Sequence, residues 1–376
     1  VTPAHSMTDW LMAQEHDLPL IKVIDEQAKI KQDFGEFSGL SAVEARFKIV
    51  AQLAEQNLLE STEEIDHSLS VCYRCDTAIE PLTSLQWFVA VDKPVDRLQG
   101  KSLKQAAIEV VPERFTKRYL DWMSNLRDWC ISRQIWFGHG LPVWYKGDQV
   151  YVGKTAPQSE GWQADTDTLD TWFSSSMWTF STLGWPNNFA DGNKRGDLAK
   201  FHPTQLMETG YEIITLWVSR MIMMSLFALG EIPFEKVYLH GMVLDKQGKK
   251  MSKSKGNGID PVDMIPIYGT DAVRLSLLLG TTPGNDVKMF EAKIAGYRNF
   301  VNKLWNIARF MLSNIDQPQI DVTKPPAQTL ADTWILEELA NLNYQVRGSL
   351  DHYDFTTAGE QLKDFTWNKL ADWYLE

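Results

Sequence analysis

Cysteine is nearly absent from this chain, which has three in 376 residues: Cys72, Cys75 and Cys130. Three cysteines cannot build a disulfide framework in a protein of this size, and such scarcity is typical of a reducing compartment. The first residues lack a basic stretch followed by a short apolar segment, so no secretory signal is predicted. No apolar run is expected to be long enough to span a bilayer. These features predict a cytoplasmic protein with no membrane partner.

A positive charge balance is lacking too, since 37 Lys and Arg stand against 49 Asp and Glu, for a formal net charge of −12. Such a chain cannot bind nucleic acid with its whole surface, although a local basic patch can still contact it. Internal repeats and low-complexity tracts are also absent from the sequence. The hydrophobic fraction of 44% is that of an ordinary globular protein, and the length predicts two or three domains.

The periodicity of apolar residues predicts how the chain is organised. A helix is expected over about 41–56, from the apolar positions Val43, Phe47, Val50 and Leu53. Residues 200–290 alternate helical and strand-like patterns, with a helix expected over 209–229 and a strand over 237–240. This alternation predicts a parallel α/β unit with its ligand site at the carboxyl ends of the strands.

From residue 293 onward the pattern is helical only. The apolar positions at helical spacing are Ile335, Leu339, Leu342 and Val346. A helical domain is therefore predicted at the end of the chain.

The most informative segment is a lysine-rich loop. Its lysines are Lys246, Lys249, Lys250, Lys253 and Lys255, interleaved with Ser252, Ser254 and Gly256. Ammonium groups on flexible stems can follow a phosphate group as its charge moves, while hydroxyl groups and backbone amides supply fixed donors. The pattern predicts a clamp over a triphosphate or pyrophosphate, and the alternative is a solvated basic turn.

The order of residues in this loop resembles a known signature. Residues 250–254, Lys-Met-Ser-Lys-Ser, match the KMSKS sequence of class I aminoacyl-tRNA synthetases, and the wider segment 237–260 resembles the valyl-tRNA synthetases in particular. This resemblance implies that Lys250, Ser252, Lys253 and Ser254 are catalytic residues that stabilise the leaving pyrophosphate. The residues that it implies for ATP binding are His240, Gly241, Met242, Lys250, Met251, Lys253, Gly210 and Glu212.

Two further segments, residues 170–175 and 208–217, indicate the amino-acid substrate. The segment 170–175, Asp-Thr-Trp-Phe-Ser-Ser, resembles the valyl family; isoleucyl enzymes usually have Val and a second Asp where this chain has Thr171 and Ser174. The resemblance implies a valine pocket lined by Trp172, Ile213 and Trp217. Ile213 and Trp217 are spaced i, i+4, so both are expected on one helix face. The neighbouring Glu212 stands where the family usually has Asp.

The first residues resemble the end of the family's editing domain, Thr-Pro-Ala-His followed by acidic residues. Thr2 and Asp9 match positions that contact the misacylated amino acid, whereas Ser6 replaces the first Asp. A pocket for valine cannot strongly reject threonine, which has the same shape and a hydroxyl group. The resemblance therefore implies hydrolytic editing of mischarged threonine in the full enzyme.

Cys72 and Cys75 have the spacing of half a zinc knuckle. A structural zinc site needs four ligands, so two are missing. Some relatives supply a second cysteine pair from sequence upstream. For this chain we expect no zinc, or a weak and incomplete site.

The resemblance covers essentially the whole chain and implies an α/β fold class. The expected parts are the C-terminal part of an editing domain (1–65), the second half of a Rossmann catalytic domain with the KMSKS loop (66–292) and the start of an α-helical anticodon-binding domain (293–376). The HIGH motif of the first catalytic half and the C-terminal coiled coil are not found. We therefore expect an internal fragment of a longer enzyme and predict that the isolated chain forms no adenylate.

The implied activity is ATP-dependent ligation of L-valine to tRNA(Val) through valyl-adenylate, with Mg²⁺ accompanying ATP. A monomer is expected. One alternative is a fragment of an isoleucyl- or leucyl-tRNA synthetase. Another is a non-catalytic tRNA- or RNA-binding protein derived from a synthetase, which the sequence upstream of Val1 would distinguish.

Overall fold

A computed structural model describes residues 2–66, 68–72, 75–91, 108–251, 256–314 and 329–376. The chain divides into two compact units, Val1–Trp87 and Phe88–Glu376. The sequence-based domain boundaries at 65/66 and 292/293 stay predictions.

The first unit contains helices α1 (Met7–His16) and α2 (Ala42–Glu55) and a 3₁₀ turn at Gly35–Phe37. Helix α2 begins at a capping box, in which the Ser41 hydroxyl accepts from the Glu44 N–H and the Glu44 carboxylate accepts from the Ser41 N–H. The predicted helix over 41–56 is thus confirmed. Its expected apolar face is wrong: Val43 and Phe47 are exposed, and Ala45 packs with the small core instead.

The strands of the second unit are β1 (Phe88–Val89), β2 (Glu109–Val111), β3 (Trp129–Cys130), β4 (Ser132–Arg133), β5 (Val143–Lys146), β6 (Gln149–Val152), β7 (Gln163–Ala164), β8 (Thr168–Leu169), β9 (Phe189–Ala190), β10 (Asn193–Lys194), β11 (Thr204–Gly210), β12 (Phe234–His240), β13 (Val243–Leu244) and β14 (Val287–Lys288). Its α-helices are α3 (Thr116–Ser124), α4 (Thr171–Ser176), α5 (Trp178–Ser181), α6 (Gly196–Phe201), α7 (Ser219–Leu229), α8 (Pro261–Tyr268), α9 (Thr270–Leu278), α10 (Glu291–Ser313), α11 (Leu330–Asp351) and α12 (Phe355–Asp364). The segments Glu113–Phe115 and Tyr211–Ile213 are 3₁₀ turns, and Ile214–Val218 and Phe365–Tyr374 are π-helical.

A parallel sheet with strand order β11-β12-β2 forms the centre of this unit. Val237 and Leu239 of β12 are fully buried and pack with the helical residues that follow β11. The register pairs Gly210 with His240, so β11 and β12 end side by side. The predicted parallel α/β unit and the strand over 237–240 are confirmed.

The chain after β11 differs from the continuous helix predicted over 209–229. Thr209 and Gly210 still pair with β12, and the chain then passes through the 3₁₀ turn and the π-helical segment before α7 begins at Ser219. A π-helix has a wider turn than an α-helix, so a spacing of four residues does not place two side chains on one face. The expected shared helix face of Ile213 and Trp217 is therefore wrong.

The stretch Tyr211–Leu229 is long and apolar enough to cross a membrane, by length and composition alone. The expectation that no apolar run reaches such a length is therefore wrong. Ile214, Val218, Met221 and Ile222 are at most 1% exposed and pack in one cluster with the strand residues Met207, Val237 and Leu239. This packing accounts for the apolar composition of the stretch.

The last helices pack around a small core of their own. Ile335, Leu342 and Phe365 are buried there and Val346 packs against them, whereas Leu339 is exposed. Helix α11 begins at a capping box formed by Thr329 and Asp332. The predicted helical character of this region is confirmed, and the prediction that Leu339 belongs to its apolar face is wrong.

A buried polar cluster lies around His202, which is 3% exposed. Its Nδ1 lies 3.0 Å from Oε1 of Glu231, and its Nε2 lies 3.2 Å from the hydroxyl oxygen of Ser225. The Lys194 ammonium group lies 2.5 Å from the same Glu231 oxygen. Burial lowers the pKa of His202 from its ordinary value of 6.5, although Glu231 acts in the opposite direction. His202 is therefore held in its neutral form near neutral pH.

We expect the free energy of unfolding to fall as the pH drops below about 6.5, because the unfolded chain binds a proton at His202 more readily than the folded chain. The stability that neutral His202 contributes is fully present above the His202 pKa of the unfolded chain. It is lost as the pH falls through the lower His202 pKa of the folded chain. For one proton the slope is at most about 1.4 kcal/mol per pH unit. In urea denaturation between about pH 5 and 8, His202→Gln should remove this contribution to the pH dependence of the free energy of unfolding. The exposed-site control His139→Gln should leave it unchanged. An unchanged slope in His202→Gln would contradict the assignment.

Candidate active site

The carboxyl ends of β11 and β12 bring together two of the predicted ATP-binding residues. Gly210 pairs with His240 across the parallel ladder. The imidazole is oriented from both sides, because Nδ1 donates to the Gly241 carbonyl at 2.7 Å and Nε2 lies 3.3 Å from Oε1 of Glu208. The ring therefore has a defined direction at the edge where open α/β sheets bind their ligands.

Glu212 turns back over the end of β11. A Cβ atom placed on Gly210 would lie 2.5 Å from Oε2 of Glu212, so glycine leaves room for this carboxylate. Oε2 is buried and has no hydrogen-bond partner in the part of the chain that the structure describes. Because an unpaired buried carboxylate oxygen is costly, Glu212 is suited to accept from a hydroxyl or ammonium group of a ligand.

Gly241 and Met242 follow β12 directly, and both are held by the segment before β14. Gly241 is buried, and a Cβ atom there would lie 1.8 Å from the Asn285 carbonyl oxygen. The Met242 N–H donates to the Asp286 carboxylate at 2.8 Å, and its carbonyl accepts from the Val287 N–H at 2.9 Å. The backbone after β12 is thus fixed next to His240.

The lysine loop begins a few residues further on. Lys250 is exposed and forms a β-bridge with Leu244, the last residue of β13. Met251, which the resemblance assigns to ATP binding, directs its side chain into a core cluster with Val273, Met289 and Ile294. Its partly buried side chain therefore anchors the start of the loop. Ser252, Lys253 and Ser254 lie outside the described residues.

Asp245 and Asn257 join the two ends of this loop, and neither is among the site residues predicted from the sequence. Asp245 accepts from the N–H groups of Gln247 and Lys249 and, at 2.7 Å, from Nδ2 of Asn257. The Lys249 N–H, and next the Asn257 amide, lower the pKa of this carboxyl. The turn sequence Asp-Lys-Gln-Gly is a usable signal for the first contacts, since Asp side chains cap such turns, but no local pattern predicts the contact between Asp245 and Asn257.

The three residues predicted for the valine pocket lie on neighbouring elements. Trp172 is on α4 and packs toward Trp129 and Met223. Trp217 is in the π-helical segment; its Nε1 donates to the Ser175 carbonyl of α4 at 2.9 Å, and its ring lies 6.3 Å from that of Trp178. Ile213 precedes it in the 3₁₀ turn and is partly buried. The hydrogen bond from Trp217 ties its segment to the helix that carries Trp172.

A buried carboxylate holds the start of α4 in place. Asp170 Oδ2 accepts from Nε1 of Trp129 at 3.0 Å and lies 3.2 Å from Nη2 of Arg133. The Arg220 guanidinium stacks 3.9 Å above the Trp129 ring, and burial lowers its pKa. These contacts were not predicted from the sequence, because they join residues far apart in the chain.

In the first unit the structure brings together the two predicted editing residues. The N–H and hydroxyl groups of Thr2 donate to Oδ2 of Asp9, at 2.5 and 3.0 Å. The Thr2 N–H is the main reason that the pKa of Asp9 is lowered. Ser6, the residue that differs from the family pattern, caps helix α1.

Cys72 and Cys75 are free thiols. The Cys75 sulfur lies 3.2 Å from the hydroxyl oxygen of Thr77, and this hydrogen bond is the first cause that lowers its pKa. Among the described residues, no three or more His, Cys, Asp or Glu side chains are grouped to hold a metal ion. The expectation of no zinc or an incomplete site stays a prediction.

Comparison with known proteins identifies the class to which this fold and site belong. Residues 28–161 and 154–290 match the family of class I tRNA synthetases (I, L, M and V), and residues 332–376 match the anticodon-binding domain of tRNA ligases. The chain belongs to the class I tRNA synthetase family. The expected α/β catalytic fold and the helical anticodon-binding domain are thereby confirmed.

Within that class the chain is similar to valine–tRNA ligases over its whole length. It is 45% identical to the one of Carboxydothermus hydrogenoformans, 44% to that of Streptomyces avermitilis and 43% to that of Thermotoga maritima. Each match covers 100% of this chain and 43% of the relative. The resemblance to valyl-tRNA synthetases is confirmed, and the chain spans less than half of the length of these relatives.

Two solved structures show the same fold at low sequence identity. Methionyl-tRNA synthetase of Mycobacterium tuberculosis, in complex with methionyl-adenylate, has a TM-score of 0.57 and 23% identity, over 79% of this chain and 54% of that one. The ternary complex of an Agrobacterium radiobacter LeuRS with tRNA and LeuAMS has a TM-score of 0.53 and 23% identity, over 64% and 36% of the two chains. Both support the fold assignment alone.

Proposed function

We propose that the full-length protein containing these residues is a valine–tRNA ligase. It joins L-valine to tRNA(Val) in an ATP-dependent reaction through valyl-adenylate. The observation that carries this proposal is the similarity to valine–tRNA ligases across the whole chain, together with the lysine loop that follows the paired strand ends of Gly210 and His240.

In the first step a valine carboxylate oxygen attacks the α-phosphorus of ATP. The bond from that phosphorus to its bridging oxygen breaks, and pyrophosphate leaves with the developing negative charge. Lys250 and Lys253, with the hydroxyl groups of Ser252 and Ser254, stabilise this charge. Mg²⁺ bound to the phosphate oxygens of ATP supplies further neutralisation.

The strand ends hold the nucleoside part of ATP in this proposal. His240, Gly241 and Met242 form one side, with a backbone that neighbouring contacts hold in place. Gly210 and Glu212 form the other side, where the unpaired Glu212 oxygen accepts from a ribose hydroxyl or the substrate ammonium group. Trp172, Ile213 and Trp217 line the pocket for the valine side chain.

Thr2 and Asp9 would serve the hydrolysis of mischarged threonine. Their hydrogen bonds present the Asp9 carboxylate in its charged form, which suits it to bind an ammonium group.

The helical region contributes to tRNA binding. In the second step a 3′-terminal hydroxyl of the tRNA attacks the carbonyl carbon of valyl-adenylate, and AMP leaves. We further propose a cytoplasmic monomer.

Exchange of labelled pyrophosphate into ATP by the full-length protein tests the amino-acid specificity. Valine should support exchange, and isoleucine and leucine should be much weaker substrates. A strong preference for isoleucine or leucine would replace the valyl assignment with an isoleucyl or leucyl one. Binding of tRNA without exchange for any amino acid would instead support a non-catalytic binding protein. Hydrolysis of Thr-tRNA(Val), lost in Asp9→Ala, tests the editing part separately.

A further inference from the structure

One short segment reaches the carboxyl ends of all three parallel strands. This crossing segment, residues 283–286, lies between α9 and β14 and reads Pro-Gly-Asn-Asp. At the end of β2, the Arg114 guanidinium donates to the Pro283 carbonyl at 3.3 Å and to the Asn285 side-chain oxygen at 2.7 Å. The crossing segment is therefore attached to the turn that follows the first of the three strands.

Asp286 attaches the crossing segment to the other two strands. Its Oδ1 accepts from the Met242 N–H after β12 at 2.8 Å, and its Oδ2 accepts from the Tyr211 hydroxyl after β11 at 3.3 Å. Because a carboxylate accepts with both oxygens, one side chain can link the two strand ends. An asparagine has only one acceptor oxygen and could serve only one of these donors.

The packing around these contacts leaves little room for the strand ends to move apart. The Tyr211 ring is stacked on Phe115, with ring centres 5.4 Å apart and planes at 15°. Gly241 lies so close to the Asn285 carbonyl that a Cβ atom would not fit between them. Phe115 belongs to the turn after β2, so the contacts form a closed ring through all three strand ends.

We propose that Asp286 is a positioning residue for the nucleotide-binding edge. It does not touch the reacting atoms, and it acts by holding Tyr211 and the Met242 backbone, between which Gly210, Glu212, His240 and Gly241 are arranged. The proposal rests on the proposed function, since it assigns ATP to this edge. Its specific consequence is an effect on ATP binding rather than on valine binding.

Full-length Asp286→Asn and Asp286→Ala should raise the KM for ATP in valine-dependent exchange, by roughly tenfold for Asn and more for Ala, since one or both hydrogen bonds are lost. The KM for valine should change less than twofold. Tyr211→Phe removes one of the two contacts and should reproduce part of the effect. The double variant Asp286→Ala/Tyr211→Phe should be no worse than Asp286→Ala, because the two residues act as one unit. Glu235→Gln, at an exposed acid on β12, is the matched control and should leave both constants unchanged.

Hydrogen exchange of the Met242 amide in the full-length protein shows whether the contact was lost, independently of activity. That amide should exchange faster in Asp286→Ala than in the wild type, because alanine has no acceptor for the Met242 N–H. A wild-type protein without valine-dependent exchange of pyrophosphate into ATP would overturn the proposed function and this role with it. If the wild type catalyses pyrophosphate exchange and the KM for ATP is unchanged in Asp286→Asn, the positioning role alone would be overturned. If Asp286→Ala fails to fold, Asp286→Asn and Tyr211→Phe decide the matter.

Discussion

Replacing Gly241 by alanine is expected to destabilise the catalytic unit and to impair its nucleotide edge. The added Cβ atom would lie 1.8 Å from the carbonyl oxygen of Asn285 and 2.6 Å from the backbone nitrogen of Asp286. Both obstacles are backbone atoms, so the contact cannot be relieved by rotating a side chain. We expect a loss of about 3 kcal/mol in the free energy of unfolding, at the upper end for overpacked sites. The midpoint of urea denaturation measures it.

Gly258→Ala is the matched control for this prediction. A Cβ atom at Gly258 would meet nothing within 4 Å, and its backbone does not adopt a left-handed conformation. Its denaturation midpoint should therefore stay close to that of the wild type. Equal stability of Gly241→Ala and Gly258→Ala would show that the close approach to Asn285 can relax at little cost.

Lys250→Ala should lower the rate of adenylate formation by the full-length protein roughly a hundredfold to a thousandfold, the usual effect of removing one donor that stabilises transition-state charge. The physical reason is that the ammonium group acts mainly on the charge that appears as pyrophosphate leaves. The KM for valine should hardly change, because the lysine lies outside the proposed valine pocket. Rapid-quench measurement of valyl-adenylate formation separates the two constants.

Lys246→Ala is the control for the charge itself. Lys246 is exposed in the same turn but lies outside the KMSKS residues. If the loop acted only through its overall positive charge, both variants would lose activity to a similar extent. If Lys250 has the proposed role, only its replacement lowers the rate strongly. A rate within threefold of the wild type for Lys250→Ala would contradict that role.

The sequence predicted those features that depend on neighbouring residues. The helix around 41–56 starts at a capping box whose two residues are three positions apart. The strand ending at His240 is recognisable from its short apolar run. The lysine loop is identified by the order of five consecutive residues. In each case the relevant interactions lie within a few positions of one another, so the local pattern contains the information.

Predictions that assumed a partner surface were less successful. Val43 and Phe47 have the spacing of a core-facing helix stripe, yet they are exposed within their unit. Ile213 and Trp217 have the spacing of one α-helical face, yet they lie in a 3₁₀ turn and a π-helical segment because β11 extends through Gly210. Periodicity indicates which residues are apolar. It does not determine where a strand ends or which surface meets which.

The sequence by itself determined the family, the α/β order of elements and the identity of the signature lysines, because these are written in local patterns and in long matching segments. Only the tertiary structure decided how the site is held together. Asp286 contacts residues 44 and 75 positions away, and Gly241 must be glycine because of a carbonyl group that belongs to another segment. Such contacts arise from the parallel pairing of strands whose ends meet at one edge. No local pattern specifies them, because they depend on where the folded chain returns.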